Sequence, residues 1–98
     1  MTDAEALLTR MLHAVADPTR RRILQALKES GASALGVNGL CASEVEVRMH
    51  LSQPTISHHM AILCRAGLVD AKKIGHWKLY RRNEPALRDF SRQLRESL

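Results

Sequence analysis

Aromatic side chains and cysteines are scarce in this chain of 98 residues. Its only aromatic residues are Trp77, Tyr80 and Phe90, whereas proteins that read single-stranded RNA usually stack bases on several such rings. Cys41 and Cys64 are too few for the disulfide framework of a small secreted protein, and in a reducing compartment both are expected to be thiols. The composition therefore argues against an RNA-reading surface and against a disulfide-stapled scaffold.

The sequence also lacks long apolar runs, catalytic motifs and, over its first residues, the pattern of a signal peptide. No apolar stretch approaches the ~18 residues that span a membrane. The first residues, MTDAEALLTRMLHAVAD, lack the basic start and uninterrupted apolar core of a signal peptide, so we expect a cytoplasmic protein. The sequence has neither a Gly-rich phosphate loop nor a serine, histidine and acid pattern that indicates a catalytic triad, so we expect no enzymatic activity.

The chain carries a formal net charge of +5, and the excess lies at its C-terminal end. Residues 1–64 contain six basic and six acidic residues, whereas residues 65–98 contain nine and four. A basic tract can neutralise nucleic-acid phosphates, although a basic tract alone is more often a solvated surface. The length allows one domain, 1–98, which buries only a little over ~60% of its unfolded surface, so a partner subunit is expected.

Apolar residues at helical spacing predict a first helix over about residues 4–15. Asp17 is an N-cap residue and Pro18 fits the first helical position, so a second helix is expected from there to about Ser30. The sequence GASALGVNGL then predicts a loop that could end in a short strand at 40–41.

Two further helices follow the loop. Ser43 and Glu46 have capping-box spacing, which predicts that the third helix begins at Ser43, and Ser52 can cap a fourth. With a step of roughly 100° per residue, the fourth helix has small polar side chains opposite its apolar ones. A major groove about 12 Å wide requires such a face, because bulky side chains would hold the helix away from the base edges. The apolar face comprises Ile56, Met60 and Leu63, and the opposite face Pro54, Ser57, His58, Ala61 and Arg65.

The pattern then becomes extended. Two β-compatible runs, 68–74 and 77–82, flank a Gly-His pair and predict a hairpin. Asn83 and Pro85 open a last helix. The apolar stripe of that helix is Leu87, Phe90, Leu94 and Leu98.

The runs LHAVADPTRRRILQAL and LSQPTISHHMAILCRAGLVDAKKIGHWKLYRRN resemble the ArsR/SmtB family of bacterial winged-helix repressors, and they cover most of the chain. The resemblance implies a mainly α fold with a small β-hairpin, a winged helix-turn-helix of order α-α-α-α-β-β-α. It places the helix-turn-helix at about 43–66, the wing at about 68–82, and dimerisation helices at about 4–15 and 84–98.

The resemblance also implies a function. A homodimer would bind an inverted-repeat operator in double-stranded DNA as a repressor and be released by an inducer. The alternative is a winged-helix module that binds protein or RNA, but the basic wing, the outward polar face and the shortage of aromatic residues favour DNA. Dimer pairing through the first and last helices would use Leu8, Leu12, Leu87, Phe90 and Leu94.

Side chains for DNA are expected first on the fourth helix. Ser52 and Gln53 lie at its N-terminus, where free N–H groups and the helix dipole favour a phosphate or a base acceptor. Gln53 could pair with adenine, and Thr55 could contact phosphate or a thymine methyl group. Ser57 and His58 face outward, where base edges would lie.

Other residues of the motif receive different roles. His59 lies beside the apolar stripe and is expected to be structural. In the wing, Trp77 and Tyr80 are expected to pack the hairpin against the body. The arginines at 20–22 open the second helix, and one or two of them are expected to contact phosphate. The basic side chains expected on phosphates or in the minor groove are Arg20, Lys72, Lys73, His76 and Lys78.

Neither metal site of the family is complete in this chain. Many relatives bind metal through a Cys-x-Cys pair at the start of the third helix, where this chain has Cys41-Ala42-Ser43. The other family site needs histidine on the last helix, and residues 87–98 contain none, so we expect no metal and no cofactor. Cys41 and Cys64 remain candidates for thiol sensing, and they could form a disulfide only if their Cα atoms lie within ~7 Å. Cys64 could instead be a small half-buried hydrophobic residue.

Overall fold

The computed structural model describes residues 1–30 and 38–98, so most of the predicted loop, residues 31–37, lies outside the described residues. The described residues form the expected helices and hairpin, together with the short strand before the third helix. The fold is therefore the predicted winged helix-turn-helix. The helices are α1 (Asp3–Ala16), α2 (Pro18–Glu29), α3 (Ala42–Met49), α4 (Gln53–Arg65) and α5 (Glu84–Ser97), and the strands are β1 (Leu40–Cys41), β2 (Val69–Ile74) and β3 (Trp77–Arg82).

Side-chain caps define the beginnings of α2 and α5. The carboxylate of Asp17 accepts a hydrogen bond from the Arg20 N–H (3.0 Å), and Asn83 accepts one from the Ala86 N–H (3.2 Å). Each cap satisfies a backbone donor that has no partner within the helix. The predicted starts of both helices are confirmed.

The predicted capping box at Ser43 and Glu46 is wrong by two residues. Cys41 is the N-cap of α3, and its N–H donates to Glu44 Oε1 (2.8 Å). The shift arises because Leu40 and Cys41 pair with β3, so the chain turns from the sheet directly into the helix. A pairing with a strand so far along the chain has no local signature.

The three strands form an antiparallel sheet in the order β1-β3-β2. In the β2–β3 hairpin, Ile74 lies opposite Trp77, and a two-residue turn connects them. Gly75 opens this turn with φ of 59°, a backbone conformation that glycine adopts without steric cost. β1 pairs with β3 at Leu79 and Tyr80, in the middle of β3.

The prediction for the two aromatic residues of the wing is half right. Tyr80 is buried as expected, but Trp77 is 52% exposed. β1 supports β3 only at Leu79 and Tyr80, whereas Trp77 lies further out, beside the turn. The body of the protein therefore holds the base of the wing and leaves its tip in solvent.

The core packs α4 against the sheet and the other helices. The predicted apolar face of α4 is buried, which confirms its orientation. In the described parts of the chain, α5 has no fully buried side chain, and no helix there has the length and apolarity to cross a bilayer. The largest buried side chains include Ile23, Leu40, Val45, Ile56, Met60, Leu63, Leu68 and Leu79.

Candidate nucleic-acid interface

The face of α4 opposite the core presents short polar side chains to solvent. Ser57 and His58 are exposed, and Gln53 Nε2 donates a hydrogen bond to Ser57 Oγ (3.1 Å). This contact holds the Gln53 amide along the exposed face. The second N–H and the carbonyl oxygen of this amide have no hydrogen-bond partner among the described residues. These are the donor and acceptor that a bidentate contact with adenine uses.

The N-terminus of α4 lies at the edge of the same face. Ser52 is the N-cap, but its hydroxyl lies 3.0 Å from Thr55 Oγ1 and caps no backbone N–H among the described residues. The Ser52 hydroxyl therefore caps neither the Gln53 nor the Thr55 N–H, which lie at the positive end of the helix dipole. Phosphate oxygens bind well at such a position.

The wing carries its positive charge on exposed side chains. Lys73 lies directly opposite Lys78 in the β2–β3 register, so two like charges share one face of the hairpin. Their repulsion destabilises the hairpin, and a bound phosphate would offset it. Lys78 Nζ also lies 5.6 Å from the centre of the Tyr80 ring, within the range of a cation–π interaction. The basic side chains of the wing that are exposed are Lys72, Lys73, His76 and Lys78.

The wing begins directly at the end of α4. The Leu68 N–H donates to the Leu63 carbonyl oxygen (3.1 Å), and Gly67, with φ of 78°, turns the chain from helix to strand. β2 then packs against α4. Because the connection is short and hydrogen-bonded, the exposed face of α4 and the wing are held in one arrangement.

Arg20 is the one predicted phosphate contact that the structure contradicts. Its side chain is only 7% exposed, because Arg20 Nε donates to the Ala14 carbonyl oxygen (2.6 Å) and Nη2 to that of His13 (3.1 Å). Both acceptors lie in the last turn of α1, where carbonyl groups lack helix partners. Arg20 therefore connects α2 to the last turn of α1 and does not face solvent. Its neighbours Arg21 and Arg22 are exposed.

His59 is structural, as expected. Its Nδ1 lies 3.3 Å from Arg20 Nη1 and 3.9 Å from Asp17 Oδ2. Burial is the main cause that lowers the pKa of His59 below its ordinary value, and Arg20 and His58 lower it further, while Asp17 acts to raise it. The hydrogen bond from the Arg20 N–H is the main cause that lowers the pKa of Asp17.

The sequence reasoning missed the contact between Arg20 and His59. The two residues are 39 positions apart, and no local pattern relates them. Two signals were available in the sequence. His59 lies at the edge of the apolar stripe of α4, and Arg20 lies three residues after the N-cap of α2, near the end of α1. Neither signal indicates a partner.

The two cysteines are free thiols in environments that favour the neutral form. Cys41 is buried and Cys64 half-buried, and burial is the main cause that raises the pKa of both. A sensing thiol usually has a lowered pKa. Among the described residues, no group of three or more His, Cys, Asp or Glu side chains is arranged to hold a metal ion.

The apolar side chains predicted for dimer pairing are incompletely covered in the single chain. Leu12 is 39% exposed. The others, Leu8, Leu87, Phe90 and Leu94, are half-buried.

Comparison with known proteins decides the family. The sequence model described as "Bacterial regulatory protein, arsR family" matches residues 17–71, more than half of the chain. The chain belongs to this family. The match includes α2, α3 and α4 and the start of β2, so it contains the helix-turn-helix. The family consists of DNA-binding transcriptional regulators and not of enzymes. This confirms the predicted DNA-binding regulatory function and the prediction that the chain is not an enzyme.

Two relatives are similar to this chain over most of their own length. An uncharacterised HTH-type transcriptional regulator of Methanocaldococcus jannaschii is 42% identical over 67 residues, which are 68% of this chain and 67% of the relative. The transcriptional repressor SdpR of Bacillus subtilis is 30% identical over 82 residues, 84% of this chain and 82% of the relative.

Solved structures share the fold. An ArsR-like transcriptional regulator from Rhodococcus sp. RHA1 superposes with a TM-score of 0.79 at 28% identity, covering 97% of this chain and 82% of that one. A homodimeric winged helix-turn-helix DNA-binding domain from Mycobacterium bovis gives 0.73 at 22% identity, covering 99% and 87%.

Proposed function

We propose that this regulator binds an operator in double-stranded DNA through the exposed face of α4 and the wing. The observation that carries the proposal is the short, hydrogen-bonded connection that joins a small polar helix face to a lysine-bearing hairpin. A helix with short side chains can approach base edges in the major groove, while lysines neutralise the flanking phosphates.

Each part of this surface has its own role in the proposal. Gln53, Ser57 and His58 would read base edges, because they lie on the exposed face of α4. Ser52 and Thr55 would contact phosphate at the helix N-terminus, where the helix dipole favours negative charge. Basic side chains of the wing would contact backbone phosphates or enter the minor groove, namely Lys72, Lys73, His76 and Lys78.

The regulator would act as a homodimer on an inverted repeat. α5 has a strongly apolar stripe, yet in the described chain it has no fully buried side chain, so a second copy would cover it. The Mycobacterium bovis domain with the same fold is homodimeric, which supports the same assembly here. Two-fold symmetry would place the two α4 helices in successive major grooves, about 34–36 Å apart.

We further infer that binding represses transcription and that an inducer releases the protein from DNA. Support comes from the family resemblance and from the relative that is named as a repressor. Cys41 and Cys64 are candidate sensing residues, although burial raises the pKa of both thiols. A Cys41→Ser variant that binds operator and still responds fully to thiol-reactive inducers would remove Cys41 from this role.

The proposed operator binding is tested by selecting duplexes from genomic DNA and measuring affinity for the best site as salt is raised. The logarithm of affinity should fall with the logarithm of salt concentration with a slope of about −0.9 for each phosphate contacted. A single-stranded RNA and a scrambled duplex of equal length serve as controls. Affinity that is insensitive to salt, or equal for RNA and operator, would contradict the proposal and favour a protein- or RNA-binding module.

The proposed dimer is tested by sedimentation of Phe90→Ala and Leu94→Ala variants. Each loses a large apolar side chain from the pairing surface, which costs roughly 2–5 kcal/mol when the side chain is fully buried. The variants should therefore dissociate at low micromolar concentration. Arg88→Ala, an exposed position on the same helix, is the matched control. If Phe90→Ala and Leu94→Ala remain dimeric like the control, α5 is not the interface.

A further inference from the structure

Arg20 connects three helices through one guanidinium group. It belongs to α2, donates two hydrogen bonds to the last turn of α1, and points Nη1 at His59 Nδ1 of α4, 3.3 Å away. The carbonyl oxygens of α1 fix the guanidinium, since two of its nitrogens are held there. The third nitrogen therefore offers α4 a donor in a fixed position.

The chemistry of this contact determines the state of the His59 ring. A guanidinium group has only donors, so His59 Nδ1 must be the acceptor. The ring is then neutral and carries its proton on Nε2. A protonated ring has donors on both nitrogens and would place two cations at the 3.3 Å separation of Nδ1 and Nη1.

Asp17 offers the ring a second partner. Its Oδ2 lies 3.9 Å from His59 Nδ1, and the same oxygen caps α2 by accepting from the Arg20 N–H (3.0 Å). A protonated Nδ1 would be repelled by Arg20 and attracted to Asp17. Protonation of Nδ1 would therefore replace its contact with Arg20 by a contact with Asp17, the residue that caps α2.

We propose that the Arg20–His59 contact positions α4 for DNA, and that it holds only while the His59 ring is neutral. The DNA part of this inference rests on the proposed function. His59 lies between the exposed His58 and the buried Met60, so a displacement of its ring would shift the exposed face of α4 relative to the core. Arg20 and His59 are positioning residues in this proposal, because Arg20 is buried and the His59 side chain is only 14% exposed.

The charged groups around the ring set the direction of the pH dependence. Arg20 faces it from α2, Asp17 from the junction of α1 and α2, and His58 from α4 itself, with ring centres 5.4 Å apart. Burial, Arg20 and His58 outweigh Asp17 and lower the pKa of His59. The neutral contact is therefore complete above the ordinary pKa of roughly 6.5 and is lost as pH falls through the lowered value.

Many groups of a protein–DNA complex respond to pH, so a loss of affinity in acid does not by itself identify His59. The loss at His59 must therefore be measured against a variant that lacks only this titration. His59→Asn provides it, because the amide oxygen of asparagine lies near the position of Nδ1 and accepts a hydrogen bond at every pH.

The experiment measures operator affinity of wild type, His59→Asn and His58→Asn between pH 8 and pH 5. At pH 8, wild type and His59→Asn should agree within about twofold, because both offer Arg20 an acceptor. As pH falls, wild type should weaken relative to His59→Asn, by up to about tenfold for each pH unit below the pKa of His59. His58→Asn should keep this relative loss. Parallel pH profiles of wild type and His59→Asn would overturn the proposal.

Nitrogen-15 spectra of the wild-type rings provide a readout that needs neither DNA nor a variant. At pH 8 the His59 Nδ1 signal should be that of an unprotonated nitrogen, and Nε2 that of a protonated one. A proton on His59 Nδ1 at pH 8 would overturn the proposed Arg20–His59 hydrogen bond but would not contradict the proposed operator binding. Wild-type protein that binds no duplex with salt-dependent affinity would instead overturn the proposed function, and with it the DNA part of this inference.

Discussion

α4 and the wing differ in how they are held and in what they present. α4 is fixed along its length by a buried apolar face and, at His59, by a contact with Arg20, and its exposed side chains include no lysine and no carboxylate. The wing is held where β1 pairs with β3 and where β2 packs against α4, and its exposed end carries lysines. Base recognition needs fixed positions, whereas phosphate attraction acts at longer range and tolerates motion. The difference in anchoring therefore matches the difference in proposed role.

The largest effect is expected where α4 is anchored. Met60→Ala removes a fully buried side chain and should lower the free energy of unfolding by roughly 2–5 kcal/mol. Ala61→Ser, an exposed neighbour on the same helix, should change it by less than about 0.5 kcal/mol. Urea unfolding at one fixed protein concentration compares the two. Equal midpoints would mean that the core face of α4 is wrongly assigned.

The next effect separates base reading from phosphate attraction. Gln53→Ala removes the amide that is oriented by Ser57, and it should cost about 1–3 kcal/mol on the preferred operator but little on scrambled duplex. Binding titrations on both duplexes at equal salt measure the ratio. A uniform loss on the two duplexes would assign Gln53 to phosphate and weaken the contrast with the wing.

A smaller and sequence-independent effect is expected in the wing. Lys73→Ala removes one of two directly opposed charges, so affinity should fall by similar factors on operator and scrambled duplex. The salt slope should decrease in magnitude by about 1 if Lys73 contacts one phosphate. Lys28→Ala, an exposed charge on α2, is a control for the loss of net charge alone. An effect confined to the operator would show that the wing also reads sequence.

The smallest effect is expected at the tip of the wing. Trp77 is the only tryptophan and is half exposed, so its emission should shift when DNA covers the tip. The shift should disappear in high salt, which dissociates the complex. Trp77→Phe should bind with nearly unchanged affinity, since the lysines supply most of the attraction. Unaltered Trp77 emission in a saturated complex would show that the tip stays in solvent.

Local patterns predicted much of the fold because their causes are local. Helical spacing and the caps at Asp17 and Asn83 lie within a few residues of the structure they specify, and so does the turn at Gly75. The capping box failed for the opposite reason. Its position depends on the pairing of Leu40 and Cys41 with a strand much later in the chain.

The candidate interface was predicted in the same uneven way. The outward direction of Ser57 and His58 follows from helical geometry and the apolar stripe, so the exposed face needed no tertiary information. Arg20 was misassigned because a basic residue at a helix start looks alike whether it faces solvent or folds back on a preceding helix. Trp77 was misassigned because its burial depends on how far β1 extends along β3.

The sequence by itself determined the class of fold, the two faces of α4, the basic character of the C-terminal third and the resemblance to one family. These depend on residue type and short spacing, which the chain carries in any conformation. Only the tertiary structure decided that Arg20 is buried, that its guanidinium group contacts His59, and that Trp77 lies exposed beside the wing turn. Each of these depends on which residues that are distant in sequence lie close together in the fold. Burial and electrostatic interactions depend on distance in space and not on distance along the chain.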